Sequence, residues 1–186
     1  DPYLCRLAAE SASSRWFCLL PGSRNDEISH HAALMLDVAQ ALALKYPKAI
    51  FLMPAASAGI YAQLQTIMSR QVRVASQRII LYRGRARACI AASDQVLAAS
   101  GTVCLEAALI GRPMVIIYRM PALSYRWMRR QQRQAWVGLP NILAQKFLVP
   151  ELIQSQATNQ AIVRALEWQW HDQPAREALM ASYLTI

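Results

Sequence analysis

This chain is poor in acid, in histidine and in paired cysteine, and each shortage removes a class of function. Only 11 Asp and Glu stand against 20 Lys and Arg among 186 residues, a formal net charge of +9. That balance favours anionic partners, with nucleotide phosphates, phospholipid headgroups and nucleic acid all admissible on charge alone. The four cysteines, Cys5, Cys18, Cys89 and Cys104, show no CxxC spacing, and a reduced, cytosolic setting is the simplest account of them. Of the three histidines, His30 and His31 are neighbours that face different directions on a helix, and His171 stands alone. No metal site is expected from such a set. No apolar run is long enough to cross a bilayer and no leader pattern appears, so any membrane contact is expected at its surface. Internal repeats and low-complexity tracts are missing as well.

What is present is apolar and well buried. The composition is 55% hydrophobic and 17% charged, and the length suits one sizeable α/β domain but not two large ones. Short apolar runs alternate with helical patterns along most of the chain. Strands are expected at 16–20, 49–53, 79–82, 95–98 and 113–118. Helical spacing falls at 28–45, where Leu34, Val38, Ala41 and Leu42 share a face, and at 60–68, 87–92 and 102–110. Strands that lack polar alternation and are separated by helices imply a parallel sheet covered on both faces. The expected fold class is α/β, a doubly wound, Rossmann-like domain over residues 1–186.

Two turns carry the chemistry. Leu19-Leu20-Pro21-Gly22-Ser23-Arg24 leads toward Glu27-Ile28, and Ala99-Ser100-Gly101-Thr102 leads into Val103-Cys104-Leu105-Glu106. Each passes from an apolar strand through small residues into a helix, which is how parallel-sheet proteins present backbone N–H groups to a phosphate or sugar. The first N–H groups of a helix have no partner within it and lie at the positive end of its dipole, so an anion is stabilised there. Gly22 and Gly101 are expected to keep the approach free of Cβ atoms, while Ser23, Ser100 and Thr102 add hydroxyls. Arg24 offers a planar fork to two phosphate oxygens, with charge-assisted bonds of about 1.5–3 kcal/mol. Glu106 supplies acceptors suited to the vicinal hydroxyls of a ribose. Each residue also has a plainer role open to it: Ser23 and Thr102 as N-caps, Arg24 as a solvated surface residue, Glu106 as a first-turn acid. Two such turns in one sheet point to a nucleotide-sugar site.

The last third changes character. Residues 122–136 read as a basic helix, with Arg126, Arg129, Arg130 and Arg133 gathered along one side among Tyr125, Trp127 and Met128. Such a face is either a surface for anionic lipid or simply a solvated one. Residues 137–144 are expected as a sixth strand turned at Pro140-Asn141, and 149–154 as the opening of a helix with Pro150 at its first position. Helical stretches at 159–170 and 175–183 complete the pattern.

The segments LLPGSR with Glu27-Ile28, ASGT with Leu105-Glu106-Ala107, PMVIIYR, LPNILA and VPELIQ occur in this order and at this spacing. Together they resemble the C-terminal half of the bacterial lipid-A-disaccharide synthases, over residues 16–166. That family is built as GT-B glycosyltransferases of two Rossmann-like halves. It transfers a diacylglucosamine from a UDP donor to a diacylglucosamine 1-phosphate acceptor, with inversion, on the cytoplasmic side of the inner membrane of Gram-negative bacteria. The resemblance implies that Gly22, Ser23 and Arg24 meet the diphosphate with Glu27 beside them. It implies that Ser100, Gly101, Thr102 and Glu106 hold the phosphate and ribose end of UDP, and that Tyr118, Arg119 and Asn141 line the same cleft. A UDP-sugar is then a substrate, and neither a cofactor, a metal nor nucleic acid is expected. An anionic membrane surface would be touched through Arg126, Trp127, Arg129, Arg130 and Arg133, and a homodimer or a companion N-terminal half would be the protein partner.

The family's N-terminal half, which carries the acceptor pocket and the carboxylate proposed as general base, has no counterpart in this sequence. An inverting transfer needs a base at the acceptor hydroxyl. The expectation is therefore a UDP-binding half from a truncated gene, a split enzyme or a fragment, inactive alone. Two other readings stand beside it. A sugar-nucleotide enzyme of the hydrolysing epimerase type would need catalytic acids and a histidine near the turn, for which the histidines here are poorly placed. A non-enzymatic module would bind anionic lipid through the basic helix.

Overall fold

The structure is a computed structural model that describes residues 14–71, 78–121, 124–125, 130 and 135–185. Strand β1 (Trp16–Leu20) leads to α1 (Asn25–Lys45), β2 (Ile50–Ala55) to α2 (Ala58–Gln71), and β3 (Ile79–Arg83) to α3 (Ala86–Ala92). Then follow β4 (Gln95–Ala99), α4 (Val103–Leu109), β5 (Met114–Tyr118), α5 (Leu139–Ala144), β6 (Glu151–Ile153), α6 (Asn159–His171) and α7 (Gln173–Tyr183). The strands form one sheet in the order β3-β2-β1-β4-β5-β6, parallel throughout.

The absence of polar alternation in the strands now has its reason. Successive strand side chains point to opposite faces, and both faces are covered. Phe17, Leu19, Phe51, Met53, Val115 and Ile117 pack with residues of α1, α2 and α6. Cys18, Leu20, Leu52, Val96, Met114 and Ile116 pack with residues of α3, α4 and α7. Across the first core the rings of Phe17 and Phe51 stack at 5.4 Å between centroids. Helix α6 is fastened to the sheet by two buried amides: Gln95 Nε2 donates to the Leu166 carbonyl and Gln169 Nε2 to the Met114 carbonyl, each at 2.8 Å. Asp172 ends α6 and also caps α7, its Oδ1 accepting the Ala175 N–H at 3.0 Å.

Two expected elements exchange type. Residues 137–144 do not make a strand; Gly138 is the N-cap of α5, and proline falls in the first turn of that helix, where its missing N–H is no loss. The sixth strand is instead β6, in the stretch expected to open a helix. The outer edge of β5 supplies the physical reason: the Ile116 N–H donates to the Pro150 carbonyl at 2.9 Å, and Ile116, Ile117 and Tyr118 pair with Glu151, Leu152 and Ile153. An unpaired central edge is satisfied at the expense of a local helix signal. Glu151 then reaches out of β6 to hold α5, its carboxylate accepting from Val137 N at 2.8 Å and Gly138 N at 2.9 Å.

Of the basic segment, Arg126, Trp127, Arg129 and Arg133 lie outside the described residues, and Arg130 is exposed. No described helix is long and apolar enough to cross a membrane.

Candidate functional site

The sheet order reverses at β1 and β4, so the crossovers from these two neighbours leave on opposite faces and open a crevice at their carboxyl ends, where open α/β sheets bind ligands. Both small-residue turns stand there. They share a cleft of about 430 Å³ with Gly22, Ser23, Arg24 and Glu27 on one side and Ser100, Gly101, Thr102 and Glu106 on the other. Pro54, Ala55 and Gly84 come from the ends of β2 and β3, and Tyr118 comes from β5. The volume lies in the range usual for small-ligand sites.

The first turn is built around Glu27. Its Oε2 accepts the N–H of Ser23 at 2.8 Å and of Arg24 at 3.3 Å, while its Oε1 takes Arg24 Nη1 at 3.2 Å. This is the acidic half of a capping box, satisfying two donors that the helix leaves open. Gly22 has φ +128°, and a Cβ there would come within 2.5 Å of both Glu27 Cβ and Glu27 Oε2. The missing Cβ thus makes room for Glu27, while Gly22 itself still lines the cleft. At Gly101 a Cβ would meet nothing within 4 Å, as expected for an open approach. Ser23 is not a cap, because the N-cap position is Arg24. The Arg24 side chain is 83% exposed, so most of its fork is free to meet an anion.

The second turn is pinned from below. Ser100 N donates to the Ile117 carbonyl at 3.0 Å and Ser100 Oγ to the Val137 carbonyl at 3.2 Å. Thr102 already has helical φ and ψ, and its hydroxyl caps nothing. One turn later Glu106 Oε2 accepts Arg87 Nε at 2.9 Å. Arg87 escaped the sequence reading, since an arginine in a short amphipathic helix gives no local sign of its partner.

Two expected lining residues are turned away from the cleft. Asn141, on α5, is fully buried. Its Nδ2 donates to the Val149 carbonyl and to Glu151 Oε1, and its Oδ1 accepts from Leu148 N and Val149 N. Arg119 points its Nη2 to the Ala157 carbonyl at 2.5 Å, and its N–H donates to His31 Nε2 at 2.9 Å. His31, also fully buried, places Nδ1 3.2 Å from the Pro21 carbonyl. Burial holds its pKa below the ordinary value. The adjacent His30 is exposed, so the pair does face different directions. The thiols of Cys89 and Cys104 are pushed up to about 11 and that of Cys18 is raised as well, all mainly by burial. They are packing groups, protonated at neutral pH.

Strand order and cleft together define a Rossmann-like parallel-sheet domain with the architecture of one half of a GT-B fold. The C-terminal CMP-Kdo binding domain of WaaA from Acinetobacter baumannii has this fold, with a TM-score of 0.61 at 12% identity over 100% of this chain and 98% of that one. Anabaena HepE, solved in complex with UDP and glucose, gives a TM-score of 0.61 at 13% identity, over 98% of this chain and 47% of that one. Sequence resolves the class further. Residues 7–183 match the family described as lipid-A-disaccharide synthetase, and the lipid-A-disaccharide synthase of Chromobacterium violaceum is 41% identical over 160 residues, 86% of this chain and 41% of that one. The chain belongs to the lipid-A-disaccharide synthetase family. It spans about two fifths of the length of the curated relatives it matches.

Proposed function

We propose that this chain is the UDP-sugar-binding half of an inverting glycosyltransferase that joins UDP-2,3-diacylglucosamine to 2,3-diacylglucosamine 1-phosphate, releasing UDP. The observation that carries the reading is the meeting of two small-residue turns in one cleft, with an exposed guanidinium on one wall and a carboxylate on the other. Membership of the family supports the reaction, and the nucleotide or nucleotide sugar named for HepE and WaaA supports the ligand class. Arg24 and the helix N-termini meet the diphosphate, Glu106 accepts from the ribose hydroxyls, and Tyr118 lines the wall. The segment carrying Arg126, Trp127, Arg129, Arg130 and Arg133 rests on anionic headgroups at the cytoplasmic face of the inner membrane. A second copy or an N-terminal half is the protein partner.

Binding is expected to need no divalent metal, because the two cleft carboxylates, Glu27 and Glu106, are each engaged by a guanidinium. Calorimetry of UDP with the chain in excess EDTA should show a binding isotherm. Heat that vanishes with EDTA and returns with magnesium would count decisively against this arrangement.

The acceptor pocket and the general base are assigned to the part of the family that this chain does not span. Orientation of the acceptor and removal of its proton supply a large share of such a rate enhancement. With the diacylated donor and acceptor, the chain alone should form no disaccharide, and adding an N-terminal half from a related enzyme should restore formation. Disaccharide made by the chain alone would point to a base within it, first among Asp26, Glu27 and His30 beside the first turn.

A further inference from the structure

His31 looks back from α1 toward the strand ends with no exposed surface. Its ring joins two pieces of backbone: the carbonyl of Pro21, which opens the first turn, at 3.2 Å from Nδ1, and the N–H of Arg119, which follows β5, at 2.9 Å from Nε2. Strands β1 and β5 are not neighbours, because β4 runs between them. Their ends are therefore related by this side chain rather than by a ladder of hydrogen bonds. Tyr118, on the cleft wall, lies beside the same ring at 5.9 Å between centroids.

We propose that His31 is a positioning residue for the nucleotide cleft, whose neutral ring clips the first turn to the end of β5 and whose protonation opens that clip. The inference rests on the nucleotide reading of the cleft.

A backbone N–H can only donate, so Nε2 must keep its lone pair and the ring proton must sit on Nδ1, where it is donated to Pro21. A second proton would set Nε2–H against Arg119 N–H, two donors with no acceptor between them, in a buried site where an unmet donor is costly. The charged and titratable groups facing the ring come from two elements. On α1, the Glu27 backbone carbonyl and, more weakly, its carboxylate favour the cation, and His30 opposes it. From β5 come Tyr118 and Arg119, the latter with its guanidinium turned to the Ala157 carbonyl. The first turn contributes only the Pro21 carbonyl. Burial outweighs these effects and lowers the pKa. Because the folded pKa lies below the unfolded value of about 6.5, the clip's contribution is present above that pH and is lost as the pH falls through the folded pKa.

The test compares UDP affinity of the whole chain with that of His31→Gln, at about pH 7.5 and about pH 5.5, on either side of the ordinary imidazole range. Glutamine can offer an acceptor to Arg119 N–H without a titrating proton. The terminal phosphate of UDP titrates in the same window but identically for both proteins, so the readout is the difference between their pH responses. The unsubstituted chain should lose severalfold more affinity on acidification than the glutamine variant. Equal losses would overturn the proposal. Nitrogen-15 NMR of the unsubstituted chain reads the clip without any variant or ligand: the Nδ1–H tautomer supports it and the Nε2–H tautomer refutes it. Failure of UDP to bind at neutral pH would sink the nucleotide reading instead, and the NMR result would still decide the clip.

Discussion

Replacing Arg24 by alanine is expected to weaken UDP by about tenfold to a hundredfold while leaving uridine nearly unchanged, the loss of one or two charge-assisted bonds to phosphate. The guanidinium has five N–H donors, and Glu27 engages Nη1. That ion pair lies at an 83% exposed side chain, where such contacts contribute little, so exchanging it for phosphate is nearly free of penalty. Glu106→Ala provides the contrast. It removes acceptors for ribose hydroxyls and should weaken UDP and uridine by similar factors. Should Arg24→Ala leave the ratio of the two affinities unchanged, Arg24 does not contact the diphosphate.

The largest effect on stability is expected at Asn141. Its amide satisfies Val149 and Leu148 N–H groups, the Val149 carbonyl and Glu151 Oε1, at 2.7–2.9 Å, with no exposed surface. Alanine would leave several buried groups unmet at about 1–3 kcal/mol each, and a total loss of about 3–5 kcal/mol is expected. Urea unfolding would measure it. Aspartate should also be destabilising, since it cannot donate to Val149 and would face the Glu151 carboxylate. A variant of unchanged stability but poor UDP affinity would return Asn141 to the cleft.

That reversal for Asn141 marks where sequence reasoning stops. The first five strands, the two turns and the helices behind them were legible because their signals are local: apolar runs, small residues at strand ends, and helical spacing. The exchange of strand and helix between residues 137 and 154 was not legible. Gly138 with Pro140, and Val149 with Pro150, fit either element over so short a span, and the open edge of β5 decided between them. Motif order likewise put Arg119 just past β5, but it set Asn141 after a strand that does not form, and it carried no information on the direction of either side chain. Gly22 carries more than its local signal tells. The sequence marks a missing Cβ without saying what fills the space, and here it is Glu27, five residues on. For His31 the two facing directions of a histidine pair were apparent, yet its partners depend on which strands flank β4.

Helices α6 and α7 bear on how the chain is made. Ile162 and Leu166 belong to the core on one face of the sheet, Leu179 and Tyr183 to the core on the other, and Asp172 joins the two helices. During synthesis the six strands leave the ribosome before either helix, with both apolar faces still incomplete. Neither layer can be sealed until these segments arrive, so a nascent domain that lacks them presents apolar surface on two sides at once, the exposure that makes incompletely made domains prone to aggregation.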